Sequence, residues 1–133
     1  MKTGRPHVVP LCGAAMAILA AMRGISYSPL IFPGQSKYTP ASGNAFARLL
    51  KRMGRDGVTT HGMRSAFRDW AGDETDFPRE VAEAALAHAV GDATEHAYRR
   101  GSALEKRRAL MAMWGAFVSG AEPVDNIAPF KRA

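Results

Sequence analysis

The sequence predicts a mainly α-helical fold with a small β-hairpin at its start. An alanine-rich run (residues 12–23), apolar residues recurring at helical spacing further on, and helix caps and breakers between the segments all point that way. The strand signal is confined to Val8 and Val9, next to the turn-forming Gly4-Arg5-Pro6.

Taken in order, residues 1–11 read as extended chain. Residues 12–23 follow Pro10 and stop at Gly24, as a helix of high intrinsic propensity would. Pro29, Pro33, Gly34 and Pro40 make 25–40 a loop. Residues 42–53 place Ala45, Phe46, Leu49, Leu50 and Met53 on one stripe, ended by Gly54 and Gly57. Thr60 reads as the N-cap of a helix over 61–72, whose buried face would be Met63, Phe67, Trp70 and Ala71. Pro78 suits a first helical position, for a helix over roughly 78–88. Gly91-Asp92 marks a break before a short helix carrying Tyr98. Ser102 and Glu105 match a capping box for a last helix showing Leu104, Met111, Trp114 and Phe117. From Gly120 the tail loses periodicity. Residues 1–118 are expected to form one unit and 119–133 an irregular tail.

The chain of 133 residues carries 18 Lys+Arg against 12 Asp+Glu, a formal charge of +6. The excess is uneven. Residues 1–70 hold ten basic residues and only Asp56 and Asp69, while 71–133 hold eight basic and ten acidic residues. A positive half beside a near-neutral one points to a polyanion, most simply a nucleic acid, or else to a solvated basic surface. A hydrophobic content of 47% excludes a disordered chain. No apolar run long enough to span a bilayer occurs, nor a secretory leader in MKTGRPHVVP, so a cytoplasmic protein is expected. The single Cys12 rules out an internal disulfide and any cysteine-paired zinc motif.

Three segments carry the reactive side chains. His61 and Arg64, three residues apart, share a helix face and pair a group titrating near neutrality with a permanent two-pronged cation suited to phosphate. His88 falls at an expected helix end, where a histidine also suits the dipole. Tyr98 is followed by Arg99 and Arg100. Alone, each has an ordinary surface or packing explanation. A metal set of His61, His88, His96 and Cys12 is the third possibility, but its members lack zinc-ligand spacing.

In order and spacing, Lys2, His61 with Arg64, His88 and Tyr98 resemble the catalytic part of the tyrosine recombinases, the phage-integrase family. Lys2-Thr3-Gly4-Arg5-Pro6-His7-Val8-Val9-Pro10-Leu11 is similar to that family's lysine-bearing hairpin. VTTHGMRSAFRDWA resembles its His-Gly-x-Arg box, and ALAHAVGDATEHAYRR resembles the box joining the second histidine to the nucleophilic tyrosine. The resemblance covers most of residues 1–118 and implies the helical C-terminal portion of a recombinase catalytic domain. The family's first arginine lies upstream of the hairpin lysine and would fall before residue 1. The separate N-terminal DNA-binding domain would do the same. The chain is therefore expected to be an integrase fragment with weak or no activity alone. The alternative is a non-catalytic DNA-binding remnant.

What the resemblance implies chemically is strand cleavage by a tyrosine hydroxyl, giving a 3′-phosphotyrosyl link and a free 5′-hydroxyl. A phenol of reference pKa about 10 is only about 0.1% ionised at pH 7, so it needs a helper. His61 matches that role. Arg64 and His88 match the donors to the attacked phosphate, and Lys2 the acid that protonates the departing oxygen. Arg5, Arg68, Arg99 and Arg100 are the expected DNA-backbone contacts. The scheme implies no cofactor and no metal. It implies duplex DNA carrying an attachment site as partner, and a homo-tetramer on that DNA.

Overall fold

The computed structural model describes residues 7–88 and 100–121. They form helices α1 (Gly13–Ile25), α2 (Ala45–Arg52), α3 (Thr60–Asp73), α4 (Arg79–Ala85) and α5 (Arg100–Ser119). The fold is mainly helical, as expected. The only β-type pairing among the described residues is an isolated bridge between Pro33 and Pro40. Lys2 and the first arm of the expected hairpin lie outside the described residues, as do the expected short helix carrying Tyr98 and most of the expected tail. Residues 7–12 run irregularly into α1. The Val8 carbonyl, which a strand partner would use, instead accepts from Arg107 Nη1 at 2.9 Å.

Helix ends differ from expectation by a few residues, for local reasons. Thr59 rather than Thr60 caps α3, its hydroxyl accepting from the Gly62 amide at 2.9 Å. Pro78, with φ −55° and ψ 139°, stands just outside α4 as its N-cap instead of inside the first turn. The last helix begins at Arg100, so the Ser102–Glu105 pair lies within it and does not start it.

The core lies where α3, α4 and α5 meet. Phe67, Trp70 and Ala71 from α3, Val81 and Ala82 from α4, and Leu110 from α5 form one buried cluster, edged by Phe77, Leu86, Met111 and Trp114. Burying each large side chain contributes about 1.5–3 kcal/mol relative to exposure. Leu110, fully buried at the centre, was not on the expected stripe. Met63 was expected inside but is 43% exposed, because α3 buries only residues of its later turns. Trp70, Trp114 and Phe117 form an aromatic ladder with centroids 5.1 Å (Trp70–Trp114), 5.5 Å (Trp114–Phe117) and 5.6 Å (Trp70–Phe117) apart, and Phe67 meets Trp114 edge-on at 5.4 Å. Phe117 therefore packs even though it is 58% exposed.

The amino-terminal half is tied on more loosely. No residue of α1 is buried, and only Leu50 is buried in α2, leaving Phe46, Leu49 and Met53 exposed. The 25–40 loop is held by its own polar groups: Ser28 is buried, donates to the Lys37 carbonyl and accepts from the Leu30 amide. The start of α1 approaches α5 through a close contact at Gly115, where a Cβ would lie 2.5 Å from both Cβ and Sγ of Cys12.

Three helices end in the same Schellman geometry, in which the first residue past the cap takes a left-handed conformation and the next amide reaches back five residues. After α2, Gly54 (φ 67°) occupies that position and the Arg55 amide donates to Leu50 O at 2.9 Å. After α5, Gly120 (φ 61°) does so and the Ala121 amide donates to Ala116 O at 3.1 Å. After α4 the position is held by Ala87 (φ 58°), with the Ala87 amide on Ala84 O at 3.2 Å and the His88 amide on Glu83 O at 2.9 Å. This closure ends α4 before the expected residue 88. A Cβ in the left-handed region costs about 1–2 kcal/mol.

Two substitutions test these features. Ala87→Gly should raise stability by about 0.5–1 kcal/mol in urea unfolding, because relief of strain exceeds glycine's extra chain entropy. Gly115→Ala should lower it by about 1–3 kcal/mol despite alanine's better helix propensity, because Cys12 must move. Unchanged stability in the second case would mean that α1 is not held against α5.

Candidate phosphate-binding site

Arg64 projects from the first half of α3, and His88 sits two residues past the cap of α4. The Schellman turn carries His88 back over Glu83, so backbone geometry places its ring. Arg64 Nη2 lies 2.8 Å from His88 Nε2 and donates to the Leu86 carbonyl, also at 2.8 Å. A guanidinium has hydrogens only to give, so Nε2 is the acceptor. The ring hydrogen is then on Nδ1, which donates to Glu83 Oε2 at 2.6 Å.

Glu83 is buried at 7% relative exposure, and both of its oxygens are occupied. Oε1 takes Arg68 Nε at 3.0 Å and Arg79 Nε at 3.6 Å, while Oε2 takes the histidine. The hydrogen bond from His88 holds the Glu83 carboxyl below its ordinary value; burial pushes the other way, and the charges of Arg68 and Arg79 add to the lowering. One carboxylate thus joins α3, α4 and the segment after α4. On the outer side of this cluster, Arg64 and His88 are exposed, with a guanidinium and an imidazole close enough to serve one anion together.

Of the residues singled out in the sequence, the structure joins Arg64 to His88 and engages Arg68 with Glu83. His61 is exposed on the first turn of α3, where its carbonyl accepts from the Ser65 hydroxyl at 3.3 Å. Arg100 is the first residue of α5. Lys2, Arg5, His96, Tyr98 and Arg99 lie outside the described residues. Among those described, no three His, Cys, Asp or Glu side chains converge as a metal site would require, and no helix is long and apolar enough to cross a membrane. Sequence reasoning missed Glu83 and Arg79. The signal was available in VAEAALAH, where an acid sits within a small apolar run that a core helix would bury.

Because the Glu83 carboxyl is lowered on folding, its contribution is complete above the ordinary value of 4.5 and is lost as pH falls through the lower native value. Wild-type protein should therefore exceed Glu83→Gln in melting temperature at pH 7, and the gap should close as the pH is taken below about 4.5. A gap that stayed constant from pH 7 to pH 3 would show that the charge on Glu83 contributes nothing.

The chain matches several curated proteins. It is 40% identical over 125 residues to prophage integrase IntA of Escherichia coli K12, covering 92% of this chain and 30% of that protein. Prophage integrase IntZ of the same strain is 34% identical over 113 residues, covering 84% of this chain and 28% of that protein. The integrase of Shigella phage Sf6 is 31% identical over 118 residues, covering 86% and 30% respectively. No family model and no solved structure matches the chain. The chain spans under a third of the length of these relatives. Over that span it is similar to phage and prophage integrases.

Proposed function

We propose that this chain is part of a site-specific recombinase that cuts and rejoins duplex DNA through a tyrosine, with Arg64 and His88 binding the attacked phosphate. The observation that carries this reading is the 2.8 Å approach of Arg64 Nη2 to His88 Nε2 on an exposed surface. A guanidinium on α3 and an imidazole just beyond α4 meet there, 24 residues apart in sequence. The likeness to integrases supplies the reaction class.

In this scheme the Tyr98 hydroxyl attacks the phosphorus. A tyrosyl oxygen–phosphorus bond forms, and the bond to the 5′-oxygen breaks. His61 takes the phenolic proton, and Lys2 gives one to the departing oxygen. Arg64 and His88 hold the non-bridging oxygens, where negative charge accumulates. A 5′-hydroxyl reverses the sequence and releases the tyrosine, so the backbone bond is conserved without an external energy source. Arg5, Arg68, Arg99 and Arg100 are assigned to the DNA backbone. Arg68 keeps its Nε on Glu83 and offers DNA its remaining guanidinium edge. The exposed basic side of α2, with Arg48, Lys51 and Arg52 around Leu49, extends the same positive half. Residues 1–118 act as the recombinase unit, 119–133 as a tail, and the full-length protein as a tetramer on an attachment site.

Two measurements check the proposal. Recombination by the chain alone should be weak, but a nicked suicide duplex carrying the matching attachment site traps even slow cleavage and should accumulate a covalent protein–DNA adduct, abolished by Tyr98→Phe with salt-sensitive binding unchanged. Arg64→Ala should weaken duplex binding and lower the slope of log K against log salt by about 1. Binding without any adduct would leave a DNA-binding remnant in place of a recombinase.

A further inference from the structure

We infer that Glu83 is the positioning residue of the phosphate site: through His88 Nδ1 it fixes the ring so that Nε2 faces the anion. The inference rests on the reading of Arg64 and His88 as phosphate donors and extends it to a residue that touches no DNA.

The geometry leaves little freedom. Glu83 accepts the ring's Nδ1–H at 2.6 Å, and its backbone carbonyl accepts the His88 amide at 2.9 Å. Histidine is therefore tied to one glutamate at both backbone and side chain. The glutamate is itself fixed: it is buried, and its other oxygen is taken by Arg68 and Arg79. Only Nε2 is left to face outward, and Arg64 occupies it at 2.8 Å.

Phosphate entry changes what that nitrogen must do. A phosphate oxygen accepts hydrogen bonds, so Nε2 has to become a donor. The ring takes one proton from solvent at Nε2 and keeps the hydrogen at Nδ1. The guanidinium of Arg64 swings from the ring to the same phosphate. The charges facing His88 are then Arg64 and phosphate on one side and Glu83 on the other, with Arg68 and Arg79 beyond it. Glu83 supplies the countercharge for the doubly protonated ring and holds its plane.

The direction of the effect separates positioning from simple charge. Removing a carboxylate near an anion site strengthens anion binding if only through-space repulsion matters. Removing the partner of Nδ1 weakens binding if the ring must be held. Glu83→Met is the deciding variant, since an apolar side chain of similar length suits the buried position and Arg68 and Arg79 can turn to water.

Inorganic phosphate is titrated into the folded chain at pH 7, followed by backbone amide shifts. Ring nitrogen shifts report the tautomer before phosphate is added. The wild-type ring should carry its hydrogen on Nδ1, and Glu83→Met should bind phosphate about fivefold more weakly, the loss of one ordinary hydrogen bond. Glu83→Gln, which keeps an acceptor of the same reach but no charge, should fall between the two. Hydrogen on Nε2 in the wild type, or a Met variant that binds as tightly as wild type or more so, overturns the inference. Should Glu83→Met not fold, Glu83→Gln decides in the same way: weaker binding supports the inference, and equal or tighter binding overturns it. Arg64→Ala and His88→Ala serve as controls. If neither weakens phosphate binding, the site reading fails and takes this inference with it. If both do and the Glu83 variants do not, only the role of Glu83 is lost.

Discussion

The arrangement of this chain depends on one buried carboxylate. Burying a charge is costly unless its partners compensate, and Glu83 meets that condition with two guanidiniums and an imidazole. The consequence is geometric as much as energetic. Arg68 belongs to α3, Arg79 to the first turn of α4, and His88 to the segment beyond it. Satisfying Glu83 therefore sets the relation between α3 and α4 and the path of the chain as it leaves α4. The apolar contacts of Phe67, Trp70, Val81 and Leu110 give α3, α4 and α5 their cohesion, but apolar contact is not directional. The polar cluster adds the direction.

The backbone contributes a second constraint. At the ends of α2 and α5 the left-handed position is glycine, and the chain turns without strain. At the end of α4 it is Ala87, which is strained, yet the turn forms. What holds it is the pair of links between His88 and Glu83, one through the main chain and one through the side chain. Each partly accounts for the other: the turn brings the ring to the carboxylate, and the carboxylate holds the turn.

Much of the helical framework could be read from the sequence, because caps, glycine stops and apolar stripes are local signals. Phe67, Trp70 and Ala71 were legible for that reason. Met63 was not, since periodicity says which face is apolar and cannot say how far along the helix the neighbours reach. The α2 stripe shows the same limit: its pattern is sound, yet only Leu50 finds cover. Leu110 was missed because the second half of α5 is apolar without interruption from Ala109 to Val118, so no single stripe stands out there. At the site, Arg64 and His88 were chosen by chemistry and order, and the fold brings them together. Glu83 was passed over because an acid beside alanines looks like an exposed helix residue until two guanidiniums and an imidazole converge on it. Its place in the apolar run VAEAALAH was the one local hint; the partners that compensate its charge leave no such mark.

The aromatic ladder has a practical consequence. Trp70 and Trp114 are the only two indoles in the chain, and they lie 5.1 Å apart across the α3–α5 seam. At that separation their optical transitions couple, so near-ultraviolet circular dichroism carries a signature of the seam itself. Any event that parts the two helices while leaving each one wound would erase this signal and spare the helical part of the far-ultraviolet spectrum. The protein thus contains a built-in reporter of whether its core is assembled, without an added label.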